Sequence, residues 1–307
     1  MNETSAPKDI SGKLRNQLIS YHKVADGLFN RHRFFGSRKL YRKIAKILLP
    51  QLQSRTFIPT IFGFDLVVGP DNAYDYYYLG FYEVGALNFF KSILKEGDIF
   101  IDVGANIGLM SFFCSGLVGE GGKILAVEPT ERFFDDLQNG IQKNNFKNII
   151  PLKIGLGSVV GKVPIYHNSV CPSLIQTDSA DPSEIIEIHA LDSVIEGHTI
   201  SKVKLIKIDV EGFELEVVKG GQKLFGSINA PIICIEYVKN QQMITENGMT
   251  ALDFLKKINS YKFYQLENSS DTIGKLIEIH DFRNLHENDN VFCILENQVP
   301  AYKYLMR

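Results

Sequence analysis

The sequence predicts an α/β fold with a doubly wound parallel sheet, and three observations lead there. From Gly97 onward, short apolar strands alternate with amphipathic helical stretches, the rhythm of a parallel sheet covered on both faces. Right-handed crossovers wind such helices onto both sides. The apolar run Ile99–Val103 passes directly into a glycine-rich turn and a helix, the place where open α/β sheets take their ligands.

Composition sets the outer limits. The 307 residues are 45% hydrophobic and 22% charged, which excludes wholesale disorder and allows one large domain or two small ones. The longest apolar runs fall far short of a membrane span. Residues 1–20 lack the apolar core of a secretory signal. Cys114, Cys171, Cys234 and Cys293 are scattered, with no CxxC or Cys/His cluster, so neither a disulfide framework nor a zinc site is supported. The expectation is a reduced, cytoplasmic protein.

Net charge is -2 but unevenly placed. Residues 1–60 hold twelve Lys and Arg against three Asp and Glu, leaving 21 basic and 32 acidic residues for the rest. A basic arm of +9 on a body of -11 suggests an appendage with its own partner. We therefore divide the chain into a basic, mainly helical extension over 1–56 and a main domain over 57–307. Residues 1–12 are small and polar and are expected to fray. Leu14 to Leu52 has helical spacing. Within it Leu40, Ile44, Ile47 and Leu48 share a face opposite Arg38, Lys39, Arg42, Lys43 and Lys46, and Pro50 stops the pattern. This helix either packs on the main domain with a solvated basic face or makes peripheral contact with an anionic membrane.

Residues 57–68 resemble two short strands turning near Gly63. An aromatic stretch from Tyr74 to Tyr82 follows, then a helical pattern from Glu83 to Leu94. The strand candidates are 99–103, 123–128, 149–154, 203–210, 232–237, 262–266 and 291–295. Helix-like segments lie at 107–117, 131–144, 213–224 and 250–258. The stretch Gly157–His189 breaks the rhythm and reads as a hairpin-like insertion with β pieces at 162–166 and 185–189.

Four motifs carry chemistry. The first is the turn after Asp102, with Gly104, Asn106 and Gly108. Glycines let the backbone approach a ligand and turn tightly. The spacing is GxNxG rather than the GxGxxG of dinucleotide folds, and Asp102 at its entrance suits a cationic ligand group. The second is Glu128, which ends the next strand 20 positions after Gly108. A carboxylate there can accept both hydroxyls of a ribose. The third is Lys207-Ile208-Asp209-Val210-Glu211-Gly212, whose charged residues alternate onto one face near a strand's carboxyl end. Polar groups inside a buried strand are costly without partners, so they mark either a site or an ion-pair network around Lys207. The fourth is Glu236, which faces the same crevice or pairs with Lys207 or Lys239.

Together these segments resemble the FkbM family of S-adenosylmethionine-dependent methyltransferases. The likeness is carried in order by GDIFIDVGANIG, AVEP, Leu191-Asp192, LIKIDVEGFELEVVKGG and PIICIEY, over about residues 60–240. Tyr82-Glu83 also looks like that family's upstream element, which adds Glu83 to the cofactor set. One departure is Gly155-Leu156-Gly157, where members more often show Ala-Leu-Gly. The resemblance implies a class I methyltransferase (Rossmann-like) fold, a seven-stranded sheet with its last strand antiparallel. It implies S-adenosyl-L-methionine as cofactor and O-methylation of a sugar, glycan or secondary metabolite. By residue matching, Asp102, Gly104, Asn106 and Gly108 would line the methionine end, Glu128 would hold the ribose, and Asp209 and Glu211 would lie nearest the methyl.

A hydroxyl acceptor needs a general base. Asp209 or Glu211 is favoured for that role, with Glu236 next and His167 and His189 as weaker candidates. No complete ligand set for a metal is visible. Three other functions compete. An NAD-dependent oxidoreductase would use the same crevice but lacks the middle glycine. A nucleic-acid methyltransferase would use the basic arm, against an acidic body and with no Asn/Asp-Pro-Pro-Tyr motif, so no nucleic-acid partner is expected. A non-catalytic binding module would keep the pocket without the acidic cluster's chemistry. Neither the acceptor nor the oligomeric state is written in the sequence.

Overall fold

The computed structural model describes residues 6–29, 54–69, 82–168, 171–173, 184–238, 248–267, 274–285 and 288–307. The basic helix expected over 38–49 and the tyrosines from Tyr74 to Tyr78 lie outside the described residues.

The chain starts with β1 (Lys8–Asp9) and α1 (Gly12–Phe29), then β2 (Thr56–Pro59), β3 (Asp65–Val68) and α2 (Val84–Ile93). The alternating core follows: β4 (Ile99–Val103), α3 (Leu109–Val118), β5 (Lys123–Val127), α4 (Glu131–Asn144) and β6 (Ile149–Leu152). The insertion contributes β7 (Gly155–Leu156), β8 (Gly161–Asn168), β9 (Cys171–Ser173) and β10 (Glu184–His189). After α5 (Leu191–Gly197) come β11 (Leu205–Ile208), α6 (Glu214–Gly220), α7 (Gln222–Gly226), β12 (Ile232–Val238), α8 (Ala251–Ile258) and β13 (Tyr261–Leu266). The last strands are β14 (Leu276–Glu278) and β15 (Asn288–Leu295).

The main sheet runs β6-β5-β4-β11-β12-β15-β13-β14. β15 is antiparallel to both its neighbours, β12 and β13, while β4, β5, β6, β11 and β12 are mutually parallel. This is the doubly wound sheet with an antiparallel last strand that the sequence predicts. Among the described residues it has eight strands rather than seven. The extra one, β14, is three residues long and pairs along the edge of β13, with a single bridge from Leu276 to Met306 on its other side, too short for a periodicity to mark it.

The apolar strands bury both faces. On one side Phe100, Ile124, Leu205 and Phe292 meet α2, α3 and α4 through Phe90, Phe112 and Leu137. On the other, Ile101, Leu125, Ile206 and Ile233 meet α5 to α8 through Leu191, Val218, Phe225 and Leu255. In α4 the buried Phe133, Phe134, Leu137 and Gly140 keep helical spacing. The helix ends where Asn145 takes a left-handed conformation, which Asn tolerates. α8 opens with a capping box between Thr250 and Asp253. The predicted 213–224 helix is two pieces, interrupted at Gly221.

The described part of the extension packs on this body. Lys8–Asp9 pairs in parallel with Thr56–Phe57, so those two residues are ordered by a neighbouring strand rather than frayed. Leu18 of α1 is buried in the first core. The insertion is a separate sheet, β7-β10-β8-β9, with the antiparallel β8–β10 pairing at its centre.

Candidate active site

The chain leaves β4 outward to β5 and β6, then returns to β11 on the other side of β4. Strand order reverses there, so a crevice opens beyond the carboxyl ends of β4 and β11. All four sequence motifs converge on that end of the sheet.

The turn after β4 is rigid. The N–H groups of Gly104 and Ala105 both donate to the Val127 carbonyl at 2.9 Å, which ties the turn to β5. Gly104 has φ 85, and any Cβ there would overlap the Asp209 carbonyl oxygen. Only glycine fits between the turn and the end of β11. Asn106 is left-handed too, at φ 51. Its N–H donates to Glu128 Oε2 at 2.9 Å, while Thr130 donates its N–H (3.0 Å) and hydroxyl (2.6 Å) to Glu128 Oε1. Burial pushes the Glu128 carboxyl up, opposed by these hydrogen bonds. Oε1 thus accepts two hydrogen bonds and Oε2 one, so one lone pair remains, on Oε2, and Glu128 is a fixed acceptor at its strand end.

Asp102 lies beneath the turn. It is 1% exposed and accepts a hydrogen bond from Ser111 Oγ at 2.6 Å. Burial raises its carboxyl, with Lys207 acting against that. The parallel register aligns Asp102, Lys207 and Cys234 across β4, β11 and β12, so their side chains share one face.

Lys207 is 2% exposed. Its Nζ lies 2.5 Å from Asp209 Oδ2 and 3.7 Å from Glu83 Oε2. Burial would lower the ammonium, but Asp209 and Glu83 outweigh it and raise it well above its ordinary value. The sequence reading left Lys207 as either part of a site or the centre of an ion-pair network; it is the centre of a network inside the crevice. Glu83 stands at the N-cap of α2 with φ 45. Glu211 follows β11 with φ 53. Three candidate residues, Glu83, Asn106 and Glu211, thus hold left-handed conformations that non-glycine residues rarely adopt, and such strain concentrates at functional sites.

Asp209, Glu211 and Glu236 bring carboxylate oxygens within 4.8 Å of one another. We assign no metal to them, because Lys207 already sets a fixed cation against Asp209. Burial would raise Asp209, but Lys207 outweighs it and holds the carboxyl below the usual range. Glu236 moves the other way. The Asp209 charge first, and burial second, push it far above the carboxylate range.

Some participants were not visible as such in the sequence. Glu214 is 2% exposed, and its Oε1 accepts from the N–H groups of Val210 (3.2 Å) and Gly212 (3.1 Å). It clamps the loop that carries Glu211. Its three-residue offset from Glu211 resembles local capping, the one signal that could have found it. Ser111 and Thr130 carry no signal beyond standing one turn into α3 and two residues after Glu128. His189 ends β10 in the insertion sheet, half exposed, 3.9 Å from Glu187. The His167 side chain lies outside the described residues.

The family model of the methyltransferase FkbM domain matches residues 102–264. A hexuronic acid methyltransferase, AglP of Haloferax volcanii, is 31% identical over 139 residues, 45% of this chain and 56% of that protein. Methyltransferase sdnD of Sordaria araneosa is 26% identical over 163 residues, 41% of this chain and 61% of that protein. The chain thus spans a little over half the length of the curated relatives it matches. Among solved structures, TYW2 of M. jannaschii in complex with AdoMet has a TM-score of 0.41 at 13% identity, covering 80% of this chain and 86% of that one. An rRNA methylase of Streptococcus thermophilus has 0.39 at 9%, covering 68% and 91%. The family match spans just over half of the chain and takes in both the glycine turn and the acidic cluster: this protein belongs to the FkbM methyltransferase family.

Proposed function

We propose that the protein transfers a methyl group from S-adenosylmethionine to a hydroxyl of a sugar, glycan or secondary metabolite, with Asp209 as general base. One observation carries this reading: a glycine cradle, a fixed strand-end carboxylate and a second, cation-held carboxylate stand side by side on β4, β5 and β11. The turn suits the cofactor because Gly104 and Gly108 hold left-handed backbones that any side chain would block, against Asp209 at the one and against Phe112 and Leu137 at the other, and so keep the turn tight at the strand end. Glu128 would hold the ribose. Asp102, Asn106 and Glu83 would serve the methionine end. When bound, S-adenosylmethionine supplies a methyl group already activated on a sulfonium.

The chain's own work is then positioning and proton removal. An acceptor hydroxyl must sit about 3 Å from the methyl carbon and in line with its bond. Asp209 can take the hydroxyl proton because it is ionised and near the strand end. The methyltransferase relatives include one named for a hexuronic acid, which supports a sugar-derived acceptor. The described helices include none long and apolar enough to cross a membrane.

Thermal unfolding with S-adenosylmethionine, S-adenosylhomocysteine or NADH tests the cofactor, since a ligand at about 100 times its Kd stabilises by roughly 2.7 kcal/mol. A shift with the adenosyl ligands, followed by a gain of one methyl mass on a uronic acid glycoside, supports the reading. A shift with NADH alone would overturn it.

A further inference from the structure

We propose that Lys207 is a positioning residue that fixes the charge of the Asp209–Glu236 pair on Asp209 and leaves Glu236 as a neutral acid hydrogen-bonded to it. This rests on the methyl-transfer reading above and deepens it, because it decides which carboxylate can act as base.

The argument is geometric. Two half-buried carboxylates within 4.8 Å of each other resist ionising together, because each charge disfavours the other. One proton is therefore shared between them, and the nearest fixed charge decides where it sits. Lys207 Nζ contacts Asp209 Oδ2 at 2.5 Å, and no ion pair joins Lys207 to Glu236 among the described residues. Glu236 Oε2 is also buried without a hydrogen-bond donor. A bare carboxylate oxygen in that position is costly, and a carboxylic acid that donates to Asp209 removes the cost.

The surrounding groups agree. Glu83 from the start of α2, Asp102 from β4 and Cys234 from β12 face Lys207, while Glu211 and Lys207 face Glu236 with Asp209. Lys207 is the one cation among them. Its lowering of Asp209 and the opposite movement of Glu236 follow from this placement. In the transfer, the acceptor O–H bond breaks and its proton goes to Asp209, while the oxygen's electron pair forms the new bond to the methyl carbon as the methyl–sulfur bond breaks and its electron pair leaves with S-adenosylhomocysteine. Glu236, already protonated, takes no proton and instead orients Asp209.

Carbon-13 NMR of the side-chain carboxyls tests this without any acceptor. Signals are assigned by their loss in Glu236→Gln and Asp209→Asn and followed from about pH 5 to pH 9, a range in which ordinary carboxylates are ionised. The Glu236 carboxyl is expected to keep the shift of a protonated acid at pH 7, and Asp209 that of a carboxylate. In Lys207→Met, the Asp209 signal should move toward the protonated position, and Lys207→Arg should restore it. Should Lys207→Met fail to fold, Lys207→Gln gives the same reading with a donor but no charge. A Glu236 signal at the carboxylate position at pH 7 would overturn the proposal, as would an Asp209 signal that ignores loss of the cation. S-adenosylmethionine titrated calorimetrically into the same wild-type sample separates the two ideas: no binding would sink the methyl-transfer reading while the carboxyl shifts still decide the role of Lys207.

Discussion

The backbone N–H of Asn106 donates to Glu128 Oε2 at 2.9 Å, so the glycine turn and the end of the second core strand form one rigid unit. Thr130 holds the other oxygen of the same carboxylate. A Glu128→Gln side chain has one acceptor oxygen and would turn its NH2 toward either Asn106 or Thr130, both of which are donors there. Hydrogen bonds to charged groups contribute about 1.5–3 kcal/mol. We expect Glu128→Gln to bind S-adenosylhomocysteine at least about tenfold more weakly, read by calorimetry. Equal affinity would mean that Glu128 only braces the turn.

Gly104 is expected to tolerate no side chain. Its φ of 85 is strained for alanine, and the added Cβ would overlap the Asp209 carbonyl oxygen. A residue that cannot adopt the native backbone costs more than the roughly 1 kcal/mol a compatible change gains. Gly104→Ala should melt lower than wild type and lose measurable cofactor binding. A variant that melts as wild type does would show that the turn can shift away from β11.

Glu214 gives a pH prediction. Burial pushes its carboxyl up to about 7 against an ordinary 4.5, despite the N–H groups of Gly212 and Val210 that favour its charge. A pKa raised on folding means that the folded state binds the proton more tightly. Stability from this group is therefore full below about pH 4.5 and declines as pH rises to about 7, a loss on the order of 3 kcal/mol. Glu214→Gln keeps an acceptor for both N–H groups and cannot ionise. Its stability relative to wild type should climb between about pH 5 and pH 7 and then level off, measured by urea unfolding at each pH. A constant difference would place the Glu214 titration elsewhere.

These residues also mark how far the sequence could be read. The core strands were legible because apolar runs such as Ile99–Val103 and Ile232–Tyr237 are buried on both faces, and the candidates Asp102, Glu128, Asp209 and Glu236 were legible because they stand at or near strand ends. β1 and β14 were not, since two or three residues carry no period. The glycines of the turn could be read as such, but the left-handed conformations of Glu83, Asn106 and Glu211 could not, because nothing in a carboxylate or amide announces φ. The rank order of the bases was open for a related reason. Which of two facing carboxylates is ionised depends on a distance from Lys207, and spacing along a strand fixes the face but not the contact. Glu214 did not stand out as a site residue because an acidic first-turn residue ordinarily faces solvent, whereas here the loop folds back over it.

The last prediction concerns the segment entering the main domain. Arg55 Nε donates to Asp136 Oδ1 at 2.7 Å, and its guanidinium pairs with the same oxygen through NH2. The Asp136 side chain is 1% exposed and that of Arg55 10%. Asp136 Oδ2 has no donor, and burial pushes the carboxyl up to about 6 even with Arg55 beside it. The pair is thus imperfectly satisfied, and its worth lies in each charge not being left alone. Removing one partner of a buried pair costs about 3–5 kcal/mol. Arg55→Met should therefore destabilise the fold strongly at about pH 8, and part of that loss should return as pH falls toward about 6, because without the Arg55 charge Asp136 takes its proton above the value of about 6 it has beside Arg55. The double change Arg55→Met with Asp136→Leu removes both charges and should recover most of the loss, because apolar replacements of a buried pair are often neutral or stabilising. Urea unfolding of the two variants and wild type at about pH 5 and pH 8 reads all three expectations. A single variant as stable as wild type at the higher pH would show that the carboxylate finds water or another donor when Arg55 is gone.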